Sequence, residues 1–184
     1  MSNGEKFKGD FLRVNIGKRF GVEPMYLLGD FDVELSGLDK TVRAPRRVIG
    51  FDTVVRQGMP FYSGNIIYKR EIDTPDCALT VSVGKYRGDL VGVRLDGKDV
   101  GNIILPPYRL TVENVGQGRH TLELILYGNR HNTFGSLHCG VGDSYCGPTH
   151  WQKPDPEFIY EYQLCDMGIM KTPEIFIEEN KSTH

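Results

Sequence analysis

The residues best able to do chemistry are gathered in one stretch. Between Gly128 and Glu157 fall three of the five histidines, two of the four cysteines and the only tryptophan. Asn129, Arg130, Asn132, His138, Asp143, His150 and Trp151 could line a sugar site. A flat aromatic face covers the C–H-rich side of a pyranose, and planar amide, guanidinium and carboxylate groups take its hydroxyls. The favoured alternative is structural. In it, Asn129, Arg130 and Asn132 hydrogen-bond the loop backbone and Trp151 plugs the end of the fold.

Two other chemistries use the same stretch. His138, Cys139, Cys146 and His150 are ligand types that zinc accepts. Cys139 and Cys146 are spaced C-x6-C, wider than the tight pair of a structural site, so no metal is assigned. A Cys–His nucleophile from these residues has no supporting context. Paired carboxylates for glycoside hydrolysis could be drawn from 24 acids, so the choice carries no information. There is no Gly-rich phosphate loop, no G-x-S-x-G and no H-E-x-x-H. The chain alone is therefore expected not to be a catalyst.

These residues need a scaffold, and 184 residues suffice for one domain with a core. Hydrophobic residues make up 39%, which argues against disorder. The net charge is -2 and no basic block stands out. Neither a nucleic-acid partner nor an anionic membrane surface is expected, since both need clustered cations. No apolar run reaches the length of a membrane span, and Met1–Lys6 leads into no apolar signal core. Cys77, Cys139, Cys146 and Cys165 are expected as reduced thiols, with a Cys139–Cys146 bridge left open. Localisation is not fixed by this; the expectation leans to the cytoplasm.

The hydrophobic period along the chain is two. In Cys77-Ala78-Leu79-Thr80-Val81-Ser82-Val83 each odd position is apolar, which turns one strand face to a core. Phe31, Val33 and Leu35 alternate likewise, as do Val91, Val93 and Leu95, then Tyr108, Leu110 and Val112, then Leu122, Leu124 and Leu126. Phe158, Tyr160, Tyr162 and Leu164 predict a late strand, and Phe61–Tyr68 a central one. No amphipathic helix of ten residues or more is evident. Asp96-Gly97 suits a tight hairpin with positive φ at both positions, Gly116-Gln117-Gly118 separates two strands, and Pro106-Pro107 interrupts the ladder before Tyr108. Tyr62, Tyr68 and Tyr108 are expected in or over the core. Arg70, on a face with Ile66, Tyr68 and Ile72, predicts an edge position or a nearby carboxylate. Many short strands with frequent turns read as a sandwich or barrel. Residues 1–22 are weakly patterned and read as a linker or the tail of a preceding domain, leaving 23–184 as the β-sandwich module.

Several segments resemble a known family. Gly58-Met59-Pro60-Phe61-Tyr62-Ser63-Gly64-Asn65-Ile66-Ile67-Tyr68 resembles the opening strand of galactose-binding-like domains, accessory modules of bacterial glycoside hydrolases. The likeness is to the sugar-binding domain of glycoside hydrolase family two and to terminal modules of rhamnosidase-like enzymes. Val93–Gly101 followed by Pro106-Pro107-Tyr108 resembles their inner hairpin with its proline and aromatic, and Gly116–Leu124 the strand after a glycine turn. Gly128–His138 resembles a loop of their C-terminal modules, and Trp151 through Tyr162 to Gly168-Ile169 their last strands. The resemblance implies an all-β fold, an antiparallel jelly-roll β-sandwich. It implies a non-catalytic carbohydrate-associated module that binds a glycan or braces a catalytic domain of a parent glycoside hydrolase-like protein. That domain would usually lie N-terminal to the module. Such modules commonly carry a structural calcium, for which Asp30, Asp32 and Asp143 are the nominal ligands here. No other cofactor is implied. A purely structural interaction sandwich is the rival, and a small hydrolase using the Cys/His-rich loop a third reading.

Overall fold

The structure is a computed structural model, and it describes residues 27–46, 48–140 and 158–179. The 1–22 segment, Asp143, Cys146, His150 and Trp151 lie outside the described residues. Within them the chain is all-β, with antiparallel sheets throughout, a short 3-10 turn and one turn of α-helix, α1(His131–Phe134).

The strands alternate because one face of each must be dry. In β4(Cys77–Ser82), Cys77, Leu79 and Val81 point inward with 0% of their surface exposed. Val91 and Val93 of β6(Leu90–Leu95) and Leu122, Leu124 and Leu126 of β9(Gly118–Tyr127) are buried too, none more than 5% exposed. With β3(Ile66–Thr74) and β7(Lys98–Ile103), β9 and β6 make a four-stranded sheet in the order β3–β9–β6–β7. β4 lies between β8(Arg109–Val115) and β11(Glu174–Glu179) in a three-stranded sheet. Inward residues of both sheets belong to a single buried cluster that includes Leu79, Val81, Val115, Val93, Ile103 and Leu126. The two sheets therefore share one core. Burying a side chain of this size is worth about 1.5–3 kcal/mol each.

Turn chemistry follows the sequence at one site above all. Asp96 and Gly97 join β6 to β7 with φ of 50° and 75°, the double positive φ of a type I′ turn.

Two strand expectations need correction. The predicted Phe61–Tyr68 strand begins only at Ile66, and β3 pairs with β9 alone in its sheet, so it is an edge rather than a central strand. Thr53 caps a 3-10 turn at Val54–Gln57, and Gly58 ends it at φ 86°. Tyr62 N–H then bonds the Met59 carbonyl at 3.2 Å, and the Tyr62 hydroxyl donates to Asn65 O at 2.9 Å. These turns use up residues 58–65 before extended chain can start. Arg70 is exposed on that edge strand, one of its two expected settings. Tyr68 and Tyr108 pack on the core as expected, whereas Tyr62 is exposed.

The alternation at Phe158–Leu164 makes no strand. It leaves one isolated bridge, Phe158 to Cys139. The late strands are instead β10(Gly168–Ile169), paired with β5(Tyr86–Arg87), and β11. Gly168 has φ 150°, and a Cβ there would strike the Asp52 carbonyl oxygen, so the close approach requires glycine. A hairpin of β1(Asp32–Ser36) and β2(Asp39–Arg43) completes the described strands.

Candidate functional site

The loop that follows β9 is built by backbone contacts. Gly128 passes so close to the Ser63–Gly64 backbone and the Met167 sulfur that a Cβ would not fit. Asn129 Oδ1 then accepts the His131 N–H at 3.1 Å, opening α1. Thr133 Oγ1 donates to Phe61 O at 2.6 Å, which pins the helical turn against the segment before β3.

Asn132 is 4% exposed, and its amide is committed. Nδ2 donates to Cys165 O at 2.8 Å while Oδ1 accepts Cys165 N–H at 2.9 Å. The side chain thus closes a two-bond ring with the backbone N–H and carbonyl of one residue, as a neighbouring strand would. His138 Nδ1 lies 3.0 Å from Ile159 O, and because a carbonyl only accepts, that nitrogen carries the proton. Ile159 N–H returns a bond to His138 O at 2.8 Å, and Gln163 N–H bonds Leu137 O at 2.8 Å.

Rings cluster around this pairing. The His138 ring centre is 4.6 Å from Tyr162 and 5.3 Å from Phe158. Phe61 meets Tyr162 edge-on at 5.0 Å, and Phe158 meets Tyr160 edge-on at 5.2 Å. Lys40 Nζ sits 5.0 Å above the Tyr162 ring, which ties the β1–β2 hairpin to the cluster by a cation–π contact. The alternating aromatics at 158–162 line this cluster instead of a sheet.

Of the seven sugar-site candidates, the structure brings Asn129, Arg130, Asn132 and His138 onto one short loop but turns them different ways. Asn132 and His138 face backbone, Asn129 caps α1, and Arg130 is exposed with no ion pair among the described residues. Asp143, His150 and Trp151 lie outside the described residues, as does half of the His138, Cys139, Cys146 and His150 set. Cys139 is 1% exposed, so this thiol is not presented to a substrate. Among the described residues no three His, Cys, Asp or Glu gather as a metal site. Asp32 Oδ2 instead pairs with Arg46 at 3.3 Å.

Sequence reading missed Lys40, Phe61, Tyr162 and the backbone of Cys165 as parts of this region. Lys40 gave no signal at all. The aromatic period at 158–162 was a signal, and the wrong structure was inferred from it. No helix among the described residues is long and apolar enough to cross a membrane.

No family model matches the sequence, and no curated protein matches it. Among solved structures, the chain is similar to part of a rhamnosidase from Novosphingobium sp. PP1Y, with 23% identity and a TM-score of 0.49 over 81% of this chain and 14% of that one. It is similar also to part of a GH2 beta-galacturonidase from Eisenbergiella tayi, solved with galacturonate and with glycerol. There the identity is 20% and the TM-score 0.42, over 81% of this chain and 22% of that one. This chain therefore spans less than a quarter of either protein.

Proposed function

We propose that this chain is a galactose-binding-like jelly-roll module of a glycoside hydrolase-like protein, and that it braces a catalytic domain without catalysing anything itself. The reading draws on the order of the segments that carry the resemblance. The β6–β7 hairpin, Pro106-Pro107-Tyr108 before β8 and the glycine turn before β9 follow one another as elements of two sheets around one core.

The observation that carries bracing over sugar binding is the commitment of Asn132 to Cys165. A hydroxyl-binding amide must keep donor and acceptor open to the ligand. This one has closed both on backbone, so the loop spends its polarity on holding its own shape. Glycan binding is the second reading, favoured by the exposure of Arg130 and of the Phe134 and Tyr160 rings.

The test is direct. The purified chain is mixed with a glycoside hydrolase catalytic domain encoded in the same reading frame or beside it, and co-elution on size exclusion is expected. Affinity electrophoresis in polysaccharide gels is run in parallel, with unchanged migration expected. Retardation in a gel that Arg130→Ala or Trp151→Ala abolishes would favour the glycan-binding reading. Turnover of a nitrophenyl glycoside by the chain alone, lost in Cys139→Ser, would overturn both.

A further inference from the structure

His120 stands near the start of β9 between two hairpin turns. Its Nδ1 is 2.6 Å from Asp96 Oδ2 in the β6–β7 turn. Its Nε2 is 2.9 Å from the carbonyl oxygen of Gly116 in the β8–β9 turn. Both partners are acceptors. A neutral imidazole has one N–H and can satisfy only one of them, leaving a lone pair aimed at an oxygen on the other side. The imidazolium satisfies both.

The two partners are themselves fixed. Asp96 Oδ1 accepts Thr121 N–H at 2.8 Å, and Asp96 N–H donates to Thr121 O at 2.9 Å. The Gly116 carbonyl also accepts the Thr74 hydroxyl at 3.2 Å. Neither acceptor can turn away from the ring without giving up these bonds. Between the turns, Leu95, Val100, Val112 and Val115 line an open cleft of about 230 Å³ at the end of the shared core.

Independently of the carbohydrate reading, we propose that His120 is a protonation-dependent latch. As the imidazolium it ties the β6–β7 turn to the β8–β9 turn across that end of the core. On losing a proton it must release one of them.

The surrounding charges agree with this. Lys98 and Glu113 reach the same cleft from β7 and β8, with opposite signs. Asp76, from the β3–β4 turn, accepts Gln117 N–H at 2.8 Å. Arg119, the preceding residue, pairs with Glu71. The Asp96 hydrogen bond, and after it the Gly116 carbonyl, raise His120 above its ordinary 6.5. The same bond, followed by the Thr121 amide, lowers Asp96 below its ordinary 3.8. A raised histidine contributes fully below its unfolded value and fades as pH rises through the folded one. A lowered aspartate contributes above its unfolded value and fades as pH falls through the folded one. The latch is therefore closed above the lowered value of Asp96 and below the raised value of His120, and it opens as pH rises through the latter. The ring is 17% exposed, which lets it exchange protons with solvent.

The experiment is an NMR titration of the intact chain from about pH 5 to about pH 9. The His120 ring is expected to titrate with a midpoint above 6.5. The amide resonances of Asp96, Gly97, Gln117 and Thr121 should shift with that same midpoint, while those of β4 stay still. In Asp96→Asn the midpoint drops toward the ordinary histidine value, and in His120→Gln the turn amides cease to titrate in this range. A midpoint at or below 6.5 in the unaltered chain, or turn amides indifferent to the ring, would overturn the latch. Because that reading needs no variant, it stands even where a substitution prevents folding.

Discussion

A buried primary amide that bonds the backbone of one residue with both its donor and its acceptor is easy to keep and costly to lose. Asn132 is in that position against Cys165. Asn132→Ala strands the Cys165 N–H and carbonyl, and because Cys165 is exposed, water can take up part of these bonds, so the cost is about 0.5–1.5 kcal/mol for each bond lost. Asn132→Asp keeps the acceptor and replaces the donor with a second oxygen facing Cys165 O, so it is expected to cost as much or more. Arg130→Ala, two residues away and exposed, should stay within about 0.5 kcal/mol. Urea unfolding of the three variants checks the contrast through their midpoints. The residue types here were legible from sequence, because asparagines in loops commonly bond backbone. The partner was not. Cys165 lies 33 residues downstream, and only the return of the chain past Tyr162 brings it to Asn132.

The elements read clearly where a strand has one dry face and one wet one. β4, β6 and β9 each separate two neighbours in a sheet and put their alternate residues into the shared core, so their pattern is nearly unbroken. β11 escaped notice for a physical reason. It is an edge strand in which Ile175 and Ile177 alternate with four other residues, three of them glutamates, and Ile177 stays 43% exposed. Glutamate is a weak strand former, and so little apolar surface gives little period. Phe158–Leu164 erred the other way, since period-two aromatics line a ring cluster as well as a sheet face. The same reasoning sets the cost of core changes. Leu79→Ala, in the middle strand of the three-stranded sheet, removes a side chain with no exposed surface and should cost about 2–5 kcal/mol. Ile177→Ala, on its register partner in β11, should cost much less because that side chain is already partly wet. Thermal melts followed by circular dichroism order the two.

At the scale of the whole molecule, the chain keeps crossing between its sheets. It passes from β3 to β4, from β7 to β8 and back again from β8 to β9, so neither sheet can be completed from one continuous stretch. With one apolar cluster between them, neither sheet has a dry face to pack on without the other. The two should therefore unfold as one cooperative unit, with Leu79→Ala and Leu126→Ala each lowering the protection of strands in both sheets. The β1–β2 hairpin is built differently. Every residue of β2 is exposed. The hairpin is held to the rest by the Val33–Gly58 backbone bond at 2.8 Å, the Asp32–Arg46 pair and Lys40 over Tyr162. Lys40 and Arg46 are exposed although Asp32 is buried, and contacts of this kind are each worth about 1 kcal/mol. Native-state hydrogen exchange should accordingly find two classes of amide. Those of β4, β6 and β9 exchange through global opening and share one denaturant dependence. Those of β2 exchange through a local opening that hardly depends on denaturant and is made easier by Tyr162→Ala. Equal protection in both classes would mean that the hairpin belongs to the core unit, and that its few contacts are stronger than their exposure allows.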